Sequence, residues 1–142
     1  MAIIQLSIFL ENRLGRLFEV ISILGKNNIN IRALSLAEKA EYGILRIIVD
    51  NKDKAVGILK KEKFSVNETP VLAVEVEDKP GGLAEVLNHF YQNGMNIEYM
   101  YAFVEKSRDK AILVFRVEDV EKAENILKEK VKVLNEQDIK NI

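Results

Sequence analysis

One seven-residue stretch occurs twice in this chain of 142 residues. Glu11-Asn12-Arg13-Leu14-Gly15-Arg16-Leu17 returns as Glu77-Asp78-Lys79-Pro80-Gly81-Gly82-Leu83, displaced by 66 positions (81 − 15 = 66). Each central glycine is followed, 15 residues on, by an Asn-Ile pair: Asn30-Ile31 and Asn96-Ile97. A repeated loop with a repeated downstream partner predicts two copies of one small unit, residues 1–68 and 69–142. A unit of roughly 70 residues buries only about 60% of its unfolded surface, so each copy is expected to gain stability by packing on its twin.

The surrounding pattern predicts the same element order in both copies. Ile4, Leu6, Ile8 and Leu10 alternate at the period of a strand, and Leu17, Val20, Ile21 and Leu24 follow at helical spacing. Asn27-Asn28 suits the helix end, because Asn tolerates the left-handed conformation found there. Strands are expected near Ile29–Glu38 and Tyr42–Val49, joined by a short turn at Lys39-Ala40-Glu41. Asn51 is placed to cap a second helix with Ala55, Ile58 and Leu59 on its buried stripe. A last strand near Phe64–Val66 closes the unit, and Asn67-Glu68-Thr69-Pro70 reads as the boundary.

In the second copy, Leu72, Val74 and Val76 take the first strand, and Leu83, Val86, Leu87 and Phe90 the first helix, which ends at Gly94. Strands near Asn96–Val104 and Ala111–Val117, a helix capped by Asp119 and a strand near Val131–Leu134 complete the order. The fold class is α+β: two ferredoxin-like βαββαβ units, each an antiparallel sheet with both helices on one face. The third strands carry apolar residues on both faces, and Tyr99, Tyr101 and Phe103 share a face of strand two. Either the two units cover each other's bare faces, or part of this surface is a homodimer interface, whose core would favour aromatics.

The repeated loop joins strand one to helix one. A glycine there lets the backbone approach a ligand, and the helix start presents unpaired N–H groups with positive dipole charge, which suits a carboxylate or phosphate. Asn12 and Asp78 hold the equivalent loop position; an amide donates and accepts, while a carboxylate accepts from an ammonium. Asn30 and Asn96 head the second strands, where they are expected near the loop end of the sheet. They either complete a polar clamp or cap the preceding helix. Equally, the glycines either serve a ligand or only make the turn. Helix amides for a carboxylate, with Asn or Asp for an ammonium, suit a free amino acid.

These residues carry a family resemblance. Asn12-Arg13-Leu14-Gly15-Arg16-Leu17 and Asp78-Lys79-Pro80-Gly81-Gly82-Leu83, each with its Asn-Ile pair, resemble the ACT domain, a regulatory amino-acid-binding module. The resemblance spans essentially the whole chain and implies a tandem ACT protein with no fused enzyme. It implies a ligand held where two ACT units meet, with Asn12 and Gly15 paired with Asn96, and Asp78 and Gly81 paired with Asn30. Leu14, Arg16, Leu17, Ile31, Pro80, Gly82, Leu83 and Ile97 complete the implied binding set. The first copy departs from the pattern in having Leu14 for Pro80 and Arg16 for Gly82, so two identical sites are not expected. Arg16 reads first as a solvated residue of the first helical turn, with attraction of an anionic ligand group as the alternative.

Other chemistries find little support. The single histidine, His89, is expected to face solvent, and with no cysteine neither a zinc site nor thiolate chemistry follows. No Ser-His-Asp set is present, and the carboxylates are interleaved with lysines as on solvated faces. An RNA-recognition motif would place stacking aromatics in a basic third strand, which Ile44–Val49 and Ile112–Val117 lack. An acylphosphatase-like enzyme is mimicked only faintly by Arg13 or Arg16 with Asn30. The net charge of −1 predicts no general attraction to nucleic acid or anionic membranes, and no apolar run approaches the ~20 residues of a membrane helix. The expectation is therefore a cytoplasmic, non-catalytic sensor without cofactor, homodimeric, binding a small amino acid. The alternative is a regulatory subunit that docks a metabolic enzyme through the surface around Tyr99, Tyr101 and Phe103, with vestigial ligand sites.

Overall fold

The computed structural model describes residues 2–38, 41–104 and 110–142. They form two compact units, residues 4–69 in one and residues 70–142 with Ala2 and Ile3 in the other. Each is an α+β unit with an antiparallel sheet. Lys39 and Ala40 of the first expected hairpin turn, and residues 105–109 of the second, lie outside the described residues.

In the first repeat, β1 (Ile3–Glu11) leads through the glycine loop into α1 (Arg16–Lys26), then β2 (Ile31–Glu38), β3 (Tyr42–Val49) and α2 (Lys52–Lys61). β3 is the central partner, pairing antiparallel with both β1 and β2. Leu6, Ile8 and Leu10 of β1 join Val20 and Leu24 of α1, and Ala55 and Leu59 of α2, in one core, so both helices cover the same sheet face. The alternation of β1 dictates this outcome, because every second residue points to one side. The other face is not wet: Gln5, Ala33 and Ile48 are buried, and Gln5 is satisfied by donating from Nε2 to Ser7 Oγ at 2.9 Å.

The helix ends are built from local polar groups. Asn51 Oδ1 accepts from the Lys54 amide at 3.2 Å, and Asp119 Oδ1 from the Lys122 amide at 3.0 Å. At the C-termini of the first helices, Asn28 and Gly94 take the left-handed turn, at φ 59° and 66°. The side chains that close those ends are Asn27 and Asn93, whose Nδ2 atoms donate to the carbonyls of Ile23 and His89 at 2.8 Å each. Capping is therefore the work of Asn27 and Asn93, and no capping bond by the Asn30 or Asn96 side chain is found among the described residues.

The second repeat follows. Its first strand is part of β4, which runs unbroken from Ser65 to Glu77. The expected boundary at Asn67–Pro70 thus lies inside a strand. Proline lacks only the N–H donor, and is tolerated in a strand where no ladder bond needs it; the Pro70 carbonyl accepts from Arg116 Nη1 at 2.9 Å. The remaining elements are α3 (Gly82–Gln92), β5 (Ile97–Ala102), β6 (Lys110–Val117) and α4 (Val120–Leu127). β6 pairs antiparallel with β4 and β5, and α3 and α4 share a core with Leu72, Val74 and Val76. Tyr99 and Tyr101 stack at 6.5 Å between ring centres, both half-buried, while Phe103 is buried. The strand expected at Val131–Leu134 shrinks to a bridge between Val133 and Val74, flanked by bonds from Glu75 N to Lys132 O and from Leu134 N to Ala73 O. A short helix, α5 (Glu136–Lys140), follows under an Asn135/Asp138 capping box and buries Ile139.

Gly15 and Gly81 sit at φ 85° and 87°, with open space where a Cβ would stand. Gly15→Ala and Gly81→Ala should each lose about 1–2 kcal/mol of stability to backbone strain alone. At Gly82 a Cβ would instead run into the Glu77 carbonyl, so Gly82→Ala should lose more than either. Urea unfolding of the three variants ranks them; equal losses would contradict this assignment.

Candidate ligand-binding loops

The two loops share one hydrogen-bond scheme. Arg13 N donates to Glu11 O at 2.8 Å, and Lys79 N to Glu77 O at 3.0 Å. Arg16 N reaches Arg13 O at 3.3 Å, and Gly82 N reaches Lys79 O at 3.0 Å. The first intrahelical bonds, Glu19 N to Gly15 O and Glu85 N to Gly81 O, measure 2.9 and 3.1 Å. Every pair is related by the sequence shift of 66 positions. Neither helix start carries a side-chain cap. The first-turn amides of Leu17 and Phe18, and of Leu83 and Ala84, therefore have no intrahelical acceptor. With the dipole of an 11-residue helix behind each, both starts suit a carboxylate.

In the first repeat the loop borders a pocket of about 250 Å³. Asn12, Arg16 and Leu17 line it from the loop side, facing Leu36, Glu38 and Tyr42 from the β2–β3 end. Leu10 and Leu36 give it an apolar wall, and Asn12, Arg13 and Glu38 give it polar groups of both signs. Gly15 and Leu14 stay outside, Leu14 being 100% exposed. Glu38 and Tyr42 escaped the sequence reading, although Tyr42 pairs directly with Glu11, which brings the start of β3 beside the loop. In the second repeat Asp78, Pro80 and Gly81 are exposed on the loop, and Leu83 is 37% exposed beside the open amides.

Two expectations fail. Asn30 and Asn96 do not lie at the loop end of their own sheets. β1 ends at the loop with Glu11 opposite Tyr42, whereas β2 begins with Ile31 opposite Val49. Because helix α1 carries the chain back along the sheet, Asn30 lies a strand length away, about 25 Å for eight residues. There its amide donates to Asp50 Oδ1 at 3.1 Å. Asn96 correspondingly borders a broad depression of about 900 Å³ with Glu98, Arg116 and Lys122, which holds no loop residue. Ile31 and Ile97, also expected in the binding set, are half-buried against the two cores.

Arg16 is not solvated. Its side chain is 14% exposed, its guanidinium lies 4.1 Å over the ring centre of Phe64, and Nη1 pairs with Glu19 at 3.2 Å. Phe64 is itself buried in the core. A long cationic side chain covers apolar surface with its stem and an aromatic face with its head. Its Nε is buried with no hydrogen-bond partner.

Residues 1–142 match the sequence family described as an ACT domain pair. The chain belongs to that family. Among solved structures, a protein from Bacteroides thetaiotaomicron is 45% identical, with a TM-score of 0.92 over 100% of this chain and 98% of that one. The regulatory subunit of aspartate kinase from Thermus thermophilus, in its ligand free form, is 15% identical at a TM-score of 0.60, over 89% and 91% of the two chains. E. coli aspartokinase III in complex with lysine and aspartate is 17% identical at 0.53, over 91% of this chain and 31% of that one. The last two likenesses establish a shared fold. No curated protein matches the chain.

For this ACT pair, the Arg16–Phe64 stack should contribute measurably to the first repeat. Arg16→Ala is expected to cost about 1–2 kcal/mol through lost packing and cation–π attraction, with Arg16→Lys recovering only part. A chemical-denaturation midpoint unchanged in Arg16→Ala would refute the packing role.

Proposed function

We propose that this ACT pair is a non-catalytic regulatory protein that binds a small amino acid at its glycine loops and reports its level to a partner. The observation that carries the reading is the first-repeat pocket of about 250 Å³, where Leu17, in the first turn of a helix without a side-chain cap, stands beside Asn12. The amides at Leu17 and Phe18 take the carboxylate, Asn12 and Glu38 the ammonium, and Leu10 and Leu36 the side chain. The second loop supplies the same amides with Asp78 as the ammonium acceptor. The proposal includes the family's arrangement, in which the second-strand Asn of another ACT unit completes each site; Asn30 and Asn96 hold that position. The solved neighbour with lysine and aspartate bound adds support for an amino acid as ligand.

Regulation follows from differential binding. An amino acid shifts a conformational equilibrium only by the difference between its affinities for the two states, and a coupling of about 1–3 kcal/mol is typical. We place the protein in the cytoplasm as a homodimer; among the described residues no helix is long and apolar enough to cross a membrane. The second reading is an enzyme-docking subunit. The half-exposed Tyr99–Tyr101 stack favours it as a contact surface.

A thermal-shift screen of the twenty amino acids followed by calorimetric titration decides between the two. The sensor predicts stabilisation by one or a few amino acids, and at least a tenfold loss of affinity in Asn12→Ala, the scale of one charge-assisted hydrogen bond. Asn96→Ala and Asn30→Ala should weaken binding as well. Silence across all twenty, with an enzyme co-purifying through a surface that Tyr99→Ala disrupts, rejects the sensor in favour of docking.

A further inference from the structure

We propose that the second repeat holds a cleft for the guanidinium group of a small ligand, at the place where the first repeat seats its own Arg16. In the first repeat this space is filled from within the chain. Arg16 lies over Phe64 and pairs with Glu19. Both halves of that stack are missing from the second repeat. Gly82 takes the place of Arg16, and Val131 the place of Phe64. The second equivalence follows from the backbone once the turn is shortened by one residue, because Phe64 N donates to Leu59 O and Val131 N to Leu127 O, at the ends of α2 and α4.

What remains is a cavity of about 270 Å³ bordered by Gly82, Glu85, Val86 and Val131. Glu85 is the counterpart of Glu19, the carboxylate that holds the guanidinium in the first repeat. Among the described residues Glu85 has no ion-pair partner, and neither does Glu75, the second carboxylate on the wall. Glu77 is already neutralised by Lys110 at 2.7 Å. The chain does not close this gap itself, since any side chain at position 82 would meet the Glu77 carbonyl. Val86 and Val131 supply an apolar wall for an alkyl stem. Lys130 stands on the border and selects for a ligand that also carries an anionic group, while Lys132 beside it already pairs with Asp138 at 3.9 Å. A guanidinium joined through an apolar stem to a carboxylate, as in free arginine, meets each of these groups. His89 lines the cavity as well, half-buried.

This site is distinct from the loop pocket and does not rest on amino-acid sensing there. Calorimetric titration of the full chain with arginine, with agmatine (no carboxylate) and with citrulline (a neutral urea for the guanidinium) tests it. Arginine should bind saturably, with agmatine weaker and citrulline at least tenfold weaker. Glu85→Gln, on the exposed side of α3, should weaken arginine by about tenfold, the loss of one charge-assisted hydrogen bond. Val131→Phe should abolish binding by refilling the cavity, with its melting curve confirming that it folds. No arginine heat, equal heats for citrulline, or undiminished binding in Glu85→Gln overturns the proposal. The loop reading is scored separately by Asn12→Ala, so either can fail without the other.

Discussion

The architecture turns on one backbone requirement made twice: a residue with φ near +85° between a strand and a helix. Only glycine adopts this angle without steric cost. At Gly15 and Gly81 it sends the chain from the last strand residue into the helix within a few residues, with no side chain left over the first-turn amides. The same geometry that makes the turn therefore also makes the donor array. The short bonds from Arg13 to Glu11 and from Lys79 to Glu77 hold the loop tight against its strand. The direction of each first helix, the return of the chain to the far end of the sheet and the place where β2 begins all follow from that turn.

Duplication with one frame and two fillings explains the asymmetry of the repeats. The backbone bonds of the two loops are matched, so the loop geometry is the same in both copies. The space behind the helix start is not. In the first copy a cation–π stack anchored by Glu19 packs it; in the second, glycine and valine leave it open beside Glu85. Glu19 neutralises a built-in cation in the first copy, and its counterpart Glu85 has no ion-pair partner among the described residues.

Much was legible in the residues. The repeat, the glycine turns, the caps at Asn51 and Asp119, and the alternating cores are all local statements, and each local rule has one solution at those positions. Arg16 was misread because helical periodicity assigns a residue to a surface without saying whether a long side chain folds back over a neighbouring ring. Asn67–Pro70 was legible as the boundary, since the units divide between Thr69 and Pro70, but local residues did not show that one strand, β4, runs through it. The Asn30 and Asn96 positions were misplaced because both follow a helix that reverses the chain, and sequence distance does not record that return.

The sequence by itself determined the two-fold repetition, the βαββαβ order and the glycine loops that open each first helix, because these depend on interactions within a few residues. The tertiary structure alone decided that Tyr42 and Glu38 join Asn12 at the first loop, that Arg16 is packed rather than wet, and that Gly82 fronts an empty cleft. Those outcomes depend on register between strands and on which side chains compete for one volume. Such competition is a property of groups distant in the chain and close in space.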